Sequence, residues 1–227
     1  MTAVINATHL SRTFPGNPPI HALRDATLRV EPGEKLAIYG PSGAGKSTLL
    51  NLLGLLDAPT SGSYTVLGEE TASMPARTKD HLRSQAIGFV FQQFHILGHR
   101  TTRENIDLKL SIARTPTTTR TRLIDEALDK VGLTHRTHSH ARNLSGGEKQ
   151  RLAIARAIVN KPQIVLADEP TGNLDARNTD LILTLLDDFS AAGIAIVVIT
   201  HSDRTAAWSH RNVYIDDGVL TNTPPRS

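Results

Sequence analysis

Eight residues, Gly40-Pro41-Ser42-Gly43-Ala44-Gly45-Lys46-Ser47, match the pattern G-x-x-x-x-G-K-[ST] in full, and they constrain the fold more than any other stretch. Such a loop works only between a strand and a helix, and its flanks supply both. Lys35 to Tyr39 is a short apolar run of strand length. After Lys46, Leu49, Leu52, Leu53 and Leu56 fall at i, i+3, i+4 and i+7, one face of a helix. Glycines let successive backbone N–H groups turn inward around phosphate oxygens, and the helix N-terminus adds its positive end. Lys46 is placed to meet the β- and γ-phosphates and Ser47 to offer a hydroxyl to magnesium, with Thr48 closing the stretch. A chance glycine-rich turn competes with this reading, but it leaves the strand before and the helix after without a reason.

The rest of the chain alternates strand-like and helical text. Val4 to Leu10, Ala26 to Val30, Ser63 to Leu67, Ile87 to Phe91, Ile164 to Ala167 and Ala195 to Ile199 read as strands, with a loop at Pro15-Gly16-Asn17-Pro18-Pro19. Thr101 to Arg142 reads as mostly helical. Leu123, Ile124, Ala127, Leu128 and Val131 form its apolar stripe, Gly132 stops it, and Arg114 to Arg120 reads as a surface loop. Further helices are expected from Gly146 through Ala157 and across Ile182, Leu185, Leu186 and Phe189. Alternation of this kind predicts a parallel sheet covered on both faces, with ligands beyond the carboxyl ends of its strands. Gly40, Asp168, Glu169 and His201 all fall at such ends.

Asp168 ends an apolar strand and suits magnesium, through water; Glu169 beside it suits a general base for an attacking water. A solvated strand end is the plain alternative for two adjacent acids. Leu144-Ser145-Gly146-Gly147-Glu148 is a second anion-gripping device, a serine hydroxyl and glycine N–H groups opening a helix; Ser145 with Glu148 also fits a capping box.

With Ile164-Val165-Leu166-Ala167-Asp168-Glu169, this second stretch resembles the ATP-binding cassette (ABC) ATPases over nearly the whole chain. The resemblance implies a P-loop NTPase (RecA-like) α/β core, an N-terminal antiparallel β subdomain and an inserted helical subdomain at about 93–160, all in one cassette spanning 1–227. It implies ATP and Mg2+ as cofactors, with Ser47, Gln92 and Asp168 toward the metal. Gln92 resembles the Q-loop glutamine, with Gln93 the competitor, and His201 the switch histidine. Phe14 falls where the family stacks an aromatic on adenine, and Asp175, in Gly172-Asn173-Leu174-Asp175, resembles the D-loop acid. Ser145, Gly146, Gly147 and Glu148 match the signature, although its usual fifth residue is glutamine. A head-to-tail dimer is implied, in which Ser145 and Gly147 of one copy close over ATP held by the other.

The run from Ala167 to Asp175 is most similar to the branch with macrolide exporters and lipoprotein-release ATPases. That implies a separate membrane permease, meeting the segment from Phe94 to Asn105 through Phe94, Ile96 and Leu97, on the cytoplasmic side of the plasma membrane. A soluble ABC ATPase acting on a cytosolic or cell-division complex is the rival class. Composition fits either. No run approaches the ~20 apolar residues of a membrane span, no signal peptide opens the chain, and cysteine is absent. A formal charge of +3, without runs of one sign, suggests no nucleic-acid partner. His135, His138 and His140 cluster without the spacing or co-ligands of a metal site.

Overall fold

The computed structural model describes residues 2–224. β1 (Ile5–Phe14), β2 (Ile20–Val30), β4 (Ser61–Val66) and β5 (Glu69–Glu70) form an antiparallel sheet ordered β2-β1-β4-β5. The second sheet holds β3 (Lys35–Tyr39), β6 (Ile87–Val90), β7 (Ile164–Asp168), β8 (Ala195–Thr200), β9 (Arg211–Asp216) and β10 (Val219–Thr221), ordered β10-β9-β3-β8-β7-β6. All its pairs are parallel except β9 with β10. Seven α-helices, α1 (Lys46–Leu53), α2 (Ala76–Ala86), α3 (Thr102–Ile112), α4 (Thr117–Lys130), α5 (Gly146–Ile158), α6 (Ala176–Ala191) and α7 (Asp203–Trp208), and two short 3-10 turns at Thr134–Arg136 and Ala141–Asn143 complete the described residues.

The central strands are continuous apolar runs because both faces are covered. Successive residues point to opposite sides. Ile164 and Leu166 of β7, with Ala195, Val197 and Ile199 of β8, join a core shared with α1 and the antiparallel sheet. Val165, Ala167, Ile196 and Val198 join a second core built with α3, α4, α5 and α6. The two cores clamp β8 and β7 from either side, and β3 packs on the first, which fixes the heights of their carboxyl ends.

Three expectations need correction. The helix after the phosphate loop stops at Leu53 instead of carrying its face to Leu56. Leu55 takes a left-handed φ of 56° and turns the chain out, leaving Leu56 48 % exposed. Most of Arg114 to Arg120 is not loop. Arg114, φ 56°, closes the turn after α3, and α4 already begins at Thr117 behind Pro116. A proline at a helix entrance has no N–H to lose there, and Thr119 Oγ1 donates to Pro116 O at 2.9 Å, so the threonine run is a first turn. The two N-terminal strands are also longer than expected, meeting at Phe14 and Ile20 around the Pro15-to-Pro19 loop, which contains a cis Asn17–Pro18 bond.

Candidate active site

β3, β8, β7 and β6 are neighbours, and they deliver Gly40, His201, Asp168 with Glu169, and Gln92 to one edge of the sheet. The loop from Gly40 to Gly45 leaves β3 and enters α1 at Lys46. Gly45 has φ 101°, and a Cβ there would lie 2.4 Å from Ala22 O, so no other residue fits. Lys46 Nζ donates to Gly40 O at 2.8 Å and Pro41 O at 2.7 Å, holding the loop in a ring around its own ammonium. A cavity of about 320 Å³ lies over it, lined by Ser42, Gly43, Gly45, Lys46, Ser47 and Thr48 together with residues 20–22 and the Asp217-Gly218 turn.

That turn was missed as a functional element. Gly218 N donates to Ala44 O at 3.0 Å, so the β9–β10 hairpin braces the phosphate loop. An Asp-Gly pair is a hairpin signal in any sequence, but nothing local says which loop it supports.

Glu169 is 8 % exposed and sits at φ 45°, a left-handed value costly for a side-chain-bearing residue. Its backbone N–H donates to Ile199 O at 2.9 Å. His201 Nδ1 donates to Glu169 Oε1 at 2.5 Å, and Thr200 Oγ1 donates to Oε2 at 3.3 Å. The carboxylate is thus aimed by two groups from the end of β8, while the histidine ring stays 70 % exposed. Burial, then the neighbouring Glu169 charge, raises the Asp168 pKa above the usual carboxylate value, and Lys46 opposes that shift. Gln92 is brought to the same place: a methyl group on Gly172 would touch its Nε2 at 3.5 Å and the Glu169 Cβ at 3.6 Å.

Ser145 caps α5. Its Oγ accepts from Glu148 N at 3.3 Å, and Glu148 Oε2 accepts from Ser145 N at 2.8 Å, completing the capping box. Glu148 Oε1 also accepts from Arg136 Nε at 2.8 Å. These bonds, the Ser145 N–H first, hold the Glu148 pKa below its usual value. Gly146 has open space around it, whereas Gly147 packs against Asn178. None of residues 144–148 lines the cavity over the phosphate loop.

Asp175 sits at the start of α6. Its carboxylate caps α6, accepting from Asn178 N at 2.7 Å and from Asn178 Nδ2 at 3.0 Å. The Arg12 guanidinium lies 4.5 Å over the Phe14 ring, so a base could stack only on the other face. His140 Nδ1 pairs with His99 O at 3.2 Å, and His135 Nε2 lies 3.9 Å from Glu148. Two side chains of α5, the buried Gln150 and the half-buried Arg156, also reach functional segments and were not singled out in sequence. Gln150 Nε2 donates to Pro170 O, and Arg156 donates to Phe94 O and His95 O. They sit among ordinary helix residues, so no local pattern marks them.

A phosphate loop on one strand, paired acids on the next but one and a histidine between them define a nucleoside-triphosphate-hydrolysing P-loop domain. The sequence profile of the ABC transporter family matches residues 23–172, more than half of the chain. The chain belongs to that family and carries its ATP-binding, ATP-hydrolysing cassette. It is 38 % identical over 226 residues to the macrolide export ATP-binding/permease protein MacB of Escherichia coli O157:H7, covering 99 % of this chain and 35 % of that protein. MacB of Rhodopseudomonas palustris (strain BisB18) is 42 % identical over 212 residues, 93 % of this chain and 32 % of that protein. The chain therefore spans about a third of the length of these relatives. Among solved structures, the dimeric post-hydrolysis state of the ATP-binding cassette MJ0796 bound to ADP and Pi superposes with a TM-score of 0.87 at 34 % identity, covering 98 % of this chain and all of that one.

Proposed function

We propose that this cassette works as a head-to-tail homodimer that clasps two ATP molecules and drives a membrane permease of the MacB type. The single observation that carries the reading is the split of the anion-gripping parts. Lys46 and Gly45 line one cavity, while Ser145 and Gly146 stand outside it on the exposed end of another helix. A second copy supplies what one copy cannot bring to its own nucleotide. The dimeric ADP- and Pi-bound MJ0796 cassette supports this arrangement.

Within the clasp, the ring around Lys46 opens its ammonium and the loop N–H groups to the β- and γ-phosphates. Ser47 and Asp168 are a hard oxygen set, with Gln92 beside them, and Asp168's raised pKa marks a carboxylate that a cation would stabilise. They fit magnesium, which neutralises charge on the phosphate oxygens when bound. Glu169, pinned by His201, accepts the proton of the attacking water, and His201 keeps the carboxylate facing the γ-phosphate. Glu148 serves the clasp as the capping partner that holds Ser145 in place. Phe14 stacks on adenine through its free face.

The helical segment at about 93–160 forms an inserted subdomain within one cassette spanning 1–227. Its leading loop meets the permease. A groove of about 700 Å³ beside that loop has an apolar floor of Leu56, Phe89, Phe91 and Ile112, and it suits a docking helix. The complex sits at the cytoplasmic face of the plasma membrane and serves export or mechanical transmission. No helix among the described residues is long and apolar enough to cross a membrane.

Glu169→Gln tests the core of this. ATP turnover should fall at least about 100-fold, and the variant should elute as a dimer with saturating ATP. Unchanged turnover removes Glu169 as the base; a strict monomer removes the clasp.

A further inference from the structure

Gln150 lies two residues beyond the capping box of α5 and is 1 % exposed. Its Nε2 donates to Pro170 O at 2.7 Å, and its Oε1 is buried with no partner among the described residues. An amide that makes one bond and leaves an acceptor unpaired adds little to stability, since an apolar side chain of equal length avoids the desolvation. The bond's destination explains it better. Pro170 directly follows Glu169, whose left-handed backbone must be held in place from outside. The other ties of this loop run to the end of β8, through Glu169 N to Ile199 O, and to α7, through Thr171 Oγ1 and Thr205 Oγ1 at 3.2 Å. Gln150 is the tie from α5.

The same helix begins with Ser145, and near its other end Arg156 grips two successive carbonyls, Phe94 O at 2.8 Å and His95 O at 2.6 Å. Those carbonyls come just after Gln92. Both anchors act on backbone, so both transmit position and not chemical identity. A helix of 13 residues is a rod of about 20 Å, and movement of its serine-led tip carries Gln150 with it.

We propose that Gln150 is a positioning residue for Glu169: it couples the placement of the signature end of α5 to the backbone carrying the carboxylate. The inference rests on the reading of Glu169 as base and of Ser145 as the partner-facing grip.

The test compares the unsubstituted chain with Gln150→Met, which keeps length and removes the donor. ATP turnover and thermal unfolding are measured on the same preparations. The expected result is kcat reduced about tenfold, KM for ATP within about twofold of the parent, and an unfolding temperature no lower. Should Gln150→Met fail to fold, Gln150→Leu, which also lacks any donor, is measured instead and should show the same kcat loss. A kcat within about twofold of the parent, or a lowered unfolding temperature with kcat intact, overturns the proposal. Glu169→Gln, run alongside, separates the two failures. If it leaves turnover unchanged, the underlying reading falls; if it abolishes turnover while Gln150→Met does not, this inference alone falls.

Discussion

Gly147→Ala should change sign with the identity of residue 178. A Cβ at Gly147 would lie 2.3 Å from Asn178 Oδ1 and 2.7 Å from its Cγ, where ordinary contact starts near 3.4 Å. The amide must therefore retreat by about 1.1 Å. It cannot do so and keep Nδ2 at 3.0 Å from both carboxylate oxygens of Asp175. Moving the amide breaks that charge-assisted pair and strains the Asn178 side chain. Alanine in place of glycine in a helix returns about 0.5–1 kcal/mol. The single variant should be destabilised. With Asn178→Ala already present the obstruction is gone, and the same change should stabilise by about 0.5–1 kcal/mol. Urea unfolding of the four proteins, with a shared m-value, gives the coupling energy directly, expected above about 1 kcal/mol for residues in contact. Gly147→Ala of the same sign in both backgrounds, with coupling below about 0.5 kcal/mol, refutes the contact as the reason for glycine here.

Two further outcomes follow from titratable groups. Burial in the groove, with Arg83 and Arg156 nearby, lowers the Lys109 pKa to about 8. Between about 8 and the usual 10.5 the unfolded chain binds more protons, so stability rises with pH across that window. Lys109→Met should therefore stabilise by about 1–2 kcal/mol at pH 7, fading toward pH 10, as urea unfolding at several pH values checks; a gain constant with pH contradicts the burial argument. Glu148 has the opposite sense. Its pKa is depressed in the fold, so its contribution is complete above the ordinary glutamate pKa and lost as pH falls through the folded value. Glu148→Gln should cost about 0.5–1 kcal/mol at neutral pH and nothing in acid, and an unfolding difference that persists undiminished in acid disproves the ionic share.

What the sequence made legible is what depends on neighbours along the chain. The glycine loop, the apolar strands ending at Asp168 and Thr200, and the serine-led start of α5 each announce themselves within about ten residues, because local backbone demands fix the residue types. The Leu49-to-Leu56 periodicity overshot because amphipathic spacing does not report where a chain turns, and Leu55 turns it. α2 carried no signal: only Ala86 of its eleven residues is buried, so it has no apolar stripe to read. The Arg114-to-Arg120 segment misled through composition, since threonines favour loops yet cost little in an exposed first turn. Contacts between distant segments were invisible for a different reason. Gly218 against Ala44, Gln150 against Pro170 and Arg156 against the loop after Gln92 all use backbone carbonyls as one partner. A carbonyl is present at every residue, so the sequence of the partner segment carries no trace of the bond.

Those long-range contacts bear on how the site works. In the single chain, Lys46 is already satisfied by the carbonyls of its own loop and Glu169 by His201, so neither charge waits on nucleotide for a partner. Nucleotide binding then exchanges existing bonds rather than ordering loose groups, and little conformational entropy is lost at that step. The cavity over the loop nevertheless stays open to water, and the histidine ring is mostly exposed. Efficient transfer needs those dipoles in a site from which bulk water is excluded. On the proposed arrangement the second copy provides the cover, and α5, anchored to the carboxylate loop and to the loop after Gln92, is the element through which covering the nucleotide is felt at Glu169.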